Sequence, residues 1–180
     1  MTSPVPASPD APVFTSWMRW FLPAALGTLV LDLVSKHIVF AYPATFEELS
    51  WIRLAYNQGV AWSLLAEHPW FVVGLTLVLI PVLAWVWWKQ YRSVGGLENT
   101  AFGLVLGGAV GNAFDRIGMA AGQFHGVRDF LHVDLGFAPF HPWPTFNLAD
   151  SGICIGFALL VLLSFRPTTA PAANSAVASS

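Results

Sequence analysis

Four apolar segments, each about as long as a bilayer is thick, constrain this chain more than any other feature of its sequence. They cover residues 17–40, 70–88, 100–117 and 146–165. A helix needs about 20 apolar residues to cross a hydrocarbon core roughly 30 Å thick, and its backbone polar groups must be satisfied within the helix. The segments therefore predict four transmembrane helices. Because Asp32 and Lys36 interrupt the first, we expect a retained helix there rather than a cleaved signal peptide.

The composition supports an all-α membrane protein. Hydrophobic residues make up 56% of the chain and charged residues 10%, whereas soluble domains carry about 25% charged residues. The formal net charge of −2 gives no support for nucleic-acid binding. The single cysteine, Cys154, excludes an intramolecular disulfide.

The two ends of the chain differ from its middle. Residues 1–12 and 167–180 are rich in Pro, Ser and Ala and have no periodicity, which predicts disordered tails. The remaining residues, 13–166, are predicted to form one domain containing the four transmembrane helices.

Four crossings would place both termini on one side of the membrane. The connection between the second and third segments carries Lys89 and Arg92, and Arg19 and Arg166 flank the outer segments. The positive-inside rule therefore predicts cytoplasmic termini. The two longer connections would then lie outside, where "LSWIRLAYN" and "FHGVRDFLHVDLGF" are expected to form a small β-cradle.

Polar side chains interrupt the apolar segments at one level, the predicted outer rim. Asp32 and Lys36 are spaced i, i+4, which predicts an ion pair. Because a charge at the bilayer centre costs about 2.5–3.5 kcal/mol, such residues are expected to pair or to serve a function. The other residues gathered near this level are Asn57, Gly59, Asn112, Asp115, Arg116, Asp129, Asn147 and Asp150. Their common depth predicts a shared site.

Glycines recur at helical spacing in the last two segments. Gly103, Gly107 and Gly111 are four residues apart, as are Gly152 and Gly156. Small residues at this spacing allow neighbouring helices to approach closely. We therefore predict that these glycines serve helix packing.

Paired carboxylates are the chemistry that these residues favour. Two carboxyls held close share a proton, so one can activate water while the other polarises a carbonyl, as peptide hydrolysis requires. Asp150 has three possible partners, Asp115, Asp129 and Asp134. Asp115 is followed by Arg116 on a predicted helix and is the candidate most easily engaged in a structural contact. Spacing leaves the choice between Asp129 and Asp134 open.

Five short motifs, in order, resemble those of lipoprotein signal peptidases, the bacterial signal peptidases of type II. They are "DLVSK", "NQGVAWSLL", "GGAVGNAFDR", "GVRDF" and "FNLADSGI", between residues 32 and 153. The resemblance implies a four-helix aspartyl endopeptidase of the bacterial inner membrane with an extracytoplasmic β-cradle. It also implies removal of the signal peptide from prolipoproteins, before a cysteine that carries diacylglycerol.

Carried over by position, the resemblance makes Asp129 and Asp150 the catalytic dyad. Asp32 and Lys36 match the first motif, and the stretch 131–145 is richer in Pro and His than we expect for the family. The implied partners are prolipoproteins and membrane lipid, with no metal or other cofactor, and nothing in the sequence demands more than a monomer. The residues implied to shape the pocket and support the dyad are Asn57, Gly59, Asn112, Asp115, Arg116 and Asn147.

Three other hypotheses compete with this interpretation. One loop carries possible zinc ligands, although their spacing matches no zinc motif. Intramembrane acids could also relay protons in a small proton-coupled transporter, or the chain could be a scaffold of packed helices. The possible zinc ligands are His125, Asp129, His132, Asp134 and His141.

Overall fold

A computed structural model describes residues 14–59, 64–65, 67–137 and 143–166. The predicted tails lie outside this part of the chain. Within it, four long helices form a bundle with a small sheet at one end, and each long helix matches one predicted apolar segment to within a few residues. In chain order the elements are α1 (Phe14–Ala41), α2 (Pro43–Phe46), β1 (Ile52–Asn57), α3 (Pro69–Val86), α4 (Gly96–Ala120), β2 (Val127–Leu131) and α5 (Leu148–Ser164).

The helices present apolar side chains outward as well as inward. Leu31, Val78 and Ile155 are each at least 60% exposed, an arrangement that a water-soluble surface rarely tolerates over a wide area. Two stretches, Trp17–Ala41 and Pro69–Tyr91, are long and apolar enough to cross a membrane. The outer faces of the bundle are therefore suited to contact with lipid.

Helix α4 is the centre of the bundle. It packs most extensively against α1 and α5 and less extensively against α3. A Cβ atom at Gly107 would overlap the Ala25 carbonyl oxygen of α1, and one at Gly108 would overlap the Ala149 carbonyl oxygen of α5. The packing role predicted for the glycines of α4 is confirmed, because only glycine lets these backbones approach so closely.

A polar cluster closes the end of the bundle where α3 meets α4. Helix α3 continues into a π-helical turn, Trp87–Tyr91, which buries Trp87 against Phe21 with ring centroids 3.8 Å apart. The buried Asn99 accepts a hydrogen bond from Trp87 Nε1 at 2.9 Å and donates to the Gly95 carbonyl at 2.7 Å. These bonds satisfy polar groups that the surrounding apolar side chains cannot.

The sheet joins the two long connections at the opposite end. Strands β1 and β2 pair antiparallel, with Ala55 opposite Asp129, and both lie within the stretches predicted to form strands. Phe146 adds an isolated bridge to Leu131 on the other side of β2. Because Phe146 directly precedes α5, this bridge brings the start of α5 beside β2.

The close approach of α4 and α1 makes a specific stability prediction. Gly107→Ala should destabilise the protein by about 1–3 kcal/mol, because the added methyl group overlaps backbone atoms that cannot rotate away. Gly27→Ala is the matched control in α1, since nothing lies within 4 Å of its Cβ position. Thermal unfolding in detergent should show a lower Tm for the first variant alone; an equal Tm for both would contradict this packing.

Candidate active site

A cavity of about 660 Å³ lies between α3, α4, α5 and the sheet. Its walls along the helices are apolar, with side chains such as Leu79, Leu83 and Ile153. One end is polar, and the polar residues lining it are Asn57, Asn112, Arg116, Asp129 and Asp150. The cavity thus combines a long apolar surface with carboxylates at one end, as in enclosed ligand sites.

Asp129 reaches the cavity from the middle of β2. Side chains alternate along a strand, so Asp129 and the preceding Arg128 point in opposite directions. The Asp129 side chain is almost fully buried, with 1% exposed. Its Oδ1 atom accepts a hydrogen bond from Asn147 Nδ2 at 2.6 Å, and the Asn57 side chain donates a second hydrogen bond to the carboxyl group.

Asp150 lies in the first turn of α5, where it forms half of a capping box. Asn147, the N-cap residue, accepts from the Asp150 backbone N–H at 2.9 Å, and Asp150 Oδ2 accepts from the Asn147 backbone N–H at 3.2 Å. Asp150 Oδ1 accepts from Asn112 Nδ2 at 2.7 Å. The first turn of a helix also favours negative charge, so this position and the two hydrogen bonds to the Asp150 carboxyl oxygens suit a carboxylate.

Two side-chain amides connect the carboxylates. Asn147 Nδ2 donates to Asp129 Oδ1 and also to Asn112 Oδ1, the latter at 3.1 Å. Asn112 in turn donates to Asp150. The two acids therefore lie at the ends of one short hydrogen-bonded chain of amides and face the same cavity.

The pKa of Asp129 is raised to about 7. Burial is the largest cause and the negative charge of Asp150 is the second, while hydrogen bonds from Asn147 and Asn57 oppose the shift. A carboxyl with this pKa can hold or release a proton near neutral pH. The pair can therefore carry one proton and one negative charge, as acid–base catalysis by two carboxyls requires.

A cluster of buried charges supports the site from behind. Asp115, fully buried, binds Arg128 Nη2 at 2.6 Å through Oδ1 and accepts from the Arg128 backbone N–H at 3.0 Å through Oδ2. Lys36 Nζ lies 2.7 Å from Asp32 Oδ2, which confirms the predicted ion pair, and 3.2 Å from Asp115 Oδ2. Asp32 also accepts the Ala149 N–H at 2.9 Å. This cluster connects α1, α4, β2 and α5.

Arg116 holds the turn that follows β1. Its Nη2 atom donates to the Gly59 carbonyl at 3.0 Å, and the Gly59 N–H donates to Asn57 Oδ1 at 3.0 Å. Arg116 also lines the cavity beside both aspartates. The turn and the acids are thus held at fixed positions around one opening.

The structure gathers the predicted site residues into two layers. Asn57, Asn112, Arg116, Asp129 and Asp150 line the cavity, as stated above. Three residues behind them contact this first layer directly: Gly59, Asn147 and Lys36. Asp115 and Asp32 lie further back, where both bind Lys36. Asp134 is exposed, accepts a hydrogen bond from the Gly136 N–H and does not line the cavity.

Several residues of the site are absent from the sequence prediction. Arg128 could have been found, because strand alternation places it opposite its neighbour Asp129 and toward a helix. Tyr56, Thr76 and Cys154 line the cavity, but no motif or charge in the sequence distinguishes them from packing residues.

The proposed zinc ligands do not converge within the described residues. No three His, Cys, Asp or Glu side chains there are grouped to hold a metal ion. His125 packs edge-on against Tyr56, and His141 lies outside the described part of the chain. The described site offers carboxylates, amides and a guanidinium.

Comparisons with known proteins agree on one family. The profile described as signal peptidase (SPase) II matches residues 24–166. Three relatives are each named lipoprotein signal peptidase. The one from Vibrio cholerae serotype O1 is 37% identical over 84% of this chain and 89% of its own. That from Aquifex aeolicus is 35% identical over 84% and 87%, and that from Escherichia coli O1:K1 / APEC is 34% identical over 88% and 96%.

Solved structures support the same fold. One structure of a bacterial membrane enzyme, at 2.3 Å resolution, has a TM-score of 0.64 and 25% identity over 78% of this chain and 84% of its own. Another, at 1.9 Å resolution, has a TM-score of 0.63 and 26% identity over 81% and 92%.

The raised pKa of Asp129 makes stability depend on pH. An unfolded aspartate has a pKa near 3.9, so between about pH 4 and 7 the folded state binds more protons and stability falls as the pH rises. Asp129→Asn removes this cost. The free energy of unfolding of Asp129→Asn minus that of the wild type should therefore be about 2–3 kcal/mol larger at pH 8 than at pH 5.

Denaturant unfolding in detergent at the two pH values measures this difference. Asp134→Asn is the matched control, because it removes an exposed carboxyl from the loop that follows β2. A gain from Asp129→Asn that is the same at pH 5 and pH 8 would disprove the raised pKa.

Proposed function

This chain belongs to the signal peptidase II family, and we propose that it removes the signal peptide from prolipoproteins by hydrolysing the peptide bond before a diacylglyceryl-modified cysteine. Asp129 and Asp150 are the catalytic residues in this proposal. The alternative, a proton-coupled transporter, has no support among the relatives described above.

The observation that carries the proposal is the shared position of two aspartates at the polar end of one cavity. Both line it, and amides of Asn147 and Asn112 connect their carboxyl groups. Asp150 receives a hydrogen bond on each oxygen, whereas burial and the nearby charge favour a proton on Asp129. One acid and one base thus face the same space.

Hydrolysis then follows the chemistry of a carboxyl pair. Asp150 takes a proton from water as the water oxygen bonds to the carbonyl carbon, and Asp129 gives its proton to the carbonyl oxygen. In the second step the C–N bond breaks. Asp150 returns its proton to the leaving nitrogen, and Asp129 regains a proton from the diol hydroxyl as the new carboxyl group forms.

The cavity suits a substrate that is apolar on one side of the scissile bond and polar at it. The signal helix and the lipid chains would lie along Leu79, Leu83 and Val105. The peptide backbone would meet Asn57 and Arg116, which can donate hydrogen bonds to carbonyl groups. The turn at Gly59 would stay close to the substrate, because Arg116 binds its carbonyl.

The proposed membrane arrangement has α1, α3, α4 and α5 as four crossings of the bacterial inner membrane. Helix α4 has 25 residues and α5 has 17, lengths of about 37 and 25 Å. Residues 13–166 would form the single peptidase domain and act as a monomer. With the termini in the cytoplasm, the sheet and both aspartates would lie at the extracytoplasmic face.

Loss of either aspartate should abolish cleavage. Asp129→Asn and Asp150→Asn keep size and hydrogen-bonding shape but cannot exchange the proton, so the rate should fall at least about 1,000-fold. The measurement is incubation of purified protein in detergent with a diacylglyceryl-modified prolipoprotein, followed by mass spectrometry of both products.

Asp134→Asn is the control and should cleave at the wild-type rate. Far-UV circular dichroism and gel filtration establish that each purified variant is folded and not aggregated. Wild-type cleavage rates in a folded Asp129→Asn or Asp150→Asn protein would disprove the dyad, and damage confined to folding would favour the scaffold hypothesis.

Filling the cavity should weaken substrate binding. Ala109 lines the cavity on α4, whereas the next residue, Val110, is exposed and does not. Ala109→Trp should raise KM about 10-fold or more by occupying space that the substrate needs, and Val110→Trp should leave KM unchanged. Equal KM values for the two variants would contradict binding in this cavity.

A further inference from the structure

Lys36 is a fully buried lysine that does not line the cavity. A lysine ammonium has three N–H donors and no acceptor. The three oxygens around Lys36 Nζ are Asp32 Oδ2 at 2.7 Å, Asn112 Oδ1 at 3.0 Å and Asp115 Oδ2 at 3.2 Å. Two of these contacts neutralise charge, but the third is to an amide that belongs to the site.

The contact with Lys36 fixes the orientation of the Asn112 amide. An amide has a carbonyl oxygen on one side and an NH₂ group on the other. Because Lys36 and Asn147 both donate toward Asn112 Oδ1, rotating the amide by half a turn would place donors against donors. The NH₂ group must therefore face the opposite way, where it donates to Asp150 Oδ1 at 2.7 Å.

This orientation gives Asp150 a hydrogen bond that favours its ionised form. Asp150 accepts an N–H on Oδ1 from Asn112 and an N–H on Oδ2 from the Asn147 backbone. Protonation would weaken both hydrogen bonds, because N–H donors bind an ionised carboxylate more strongly than a neutral carboxyl. Asp129 also accepts hydrogen bonds, from Asn147 and Asn57, but its carboxyl is the more deeply buried of the two. Asp150 lies in the first turn of α5, which favours negative charge. The charge therefore suits Asp150, and the shared proton belongs on Asp129.

We propose that Lys36 is a positioning residue for hydrolysis: by holding the Asn112 carbonyl oxygen, it aims the Asn112 N–H at Asp150 and keeps Asp150 the ionised base. This inference rests on the proposed function. It assigns Lys36 an effect on the reaction in addition to its ion pair with Asp32.

Other charged and titratable groups lie around Lys36 and the two aspartates. The test must separate their effects on the protonation of Asp150 from the effect of Lys36. The relevant groups are Asp32 on α1, Tyr56 on β1, Asp115 and Arg116 on α4, Arg128 and Asp129 on β2, and Asp150 on α5. The buried cluster behind the site contains two acids, Asp32 and Asp115, and two bases, Lys36 and Arg128. Removing Asp32 together with Lys36 therefore keeps this cluster neutral.

The experiment compares pH–rate profiles of detergent-purified protein acting on a diacylglyceryl-modified prolipoprotein. Lys36→Met and the charge-balanced Asp32→Asn/Lys36→Met both delete the hydrogen bond to Asn112. Asp32→Asn alone is the matched control, because it removes a charge but leaves that hydrogen bond. Circular dichroism and Tm establish that each variant is folded; if Lys36→Met is too unstable, the charge-balanced variant supplies the same comparison.

We expect both lysine variants to lose kcat about 10-fold or more, with KM within about two-fold of wild type. The acidic limb of the profile should move up by about one pH unit, the effect of one lost hydrogen bond to a charged group. Asp32→Asn should keep the limb at or below its wild-type position.

A folded lysine variant with an unmoved acidic limb would overturn the inference and leave the dyad proposal intact, since Lys36 would then be structural only. An equal upward shift in Asp32→Asn would overturn it too. Failure of the wild-type protein to cleave would instead disprove the proposed function, and the inference with it.

Discussion

The burial of charge beside the cavity is the constraint on which the rest of this structure depends. Asp115 has no exposed surface, and a lone buried carboxylate would cost several kcal/mol. It is tolerated because Arg128 binds it from β2 and Lys36 binds it from α1. The pairing that offsets this cost also fixes β2 against the helices, and thereby places Asp129.

The apolar part of the bundle makes that pairing possible. Glycines of α4 let its backbone contact those of α1 and α5, so that side chains as short as Asp32 and Asn112 can reach their partners. Bulkier residues would separate the helices and stretch every hydrogen bond between them. The polar cluster therefore depends on the helix packing, because the glycines of α4 bring the helices close enough for short polar side chains to bond between them.

The sequence predicts the helices well, because long apolar runs leave few alternatives. It also predicts that Asn147 and Asp150 share one end of a helix, since their spacing is local. The choice between Asp129 and Asp134 is different, because it depends on the register of β2 against β1 and on the bridge at Phe146. Spacing along one chain carries no information about such pairings, and only the family resemblance favoured Asp129.

The lining of the cavity is the least predictable feature for a related reason. Thr76 and Cys154 face it because of how α3 and α5 are rotated, and that rotation is set by packing over the whole bundle. Arg128 could have been identified from the sequence, because its neighbour Asp129 was already a candidate and side chains alternate between the two faces of a strand. Its binding to Asp115, a residue 13 positions earlier in the chain, depends on how β2 is placed against α4.

The contrast between the two ends of the cavity has a consequence for selectivity. Leu79, Leu83 and Val105 offer no hydrogen bonds, and one methylene more or less against such a surface changes binding by only about 1–3 kcal/mol. Under the proposed function, stringent discrimination therefore comes from the few polar groups at the other end of the cavity. Such an enzyme can accept many apolar signal peptides of unrelated sequence while remaining selective for the residues at the cleavage site.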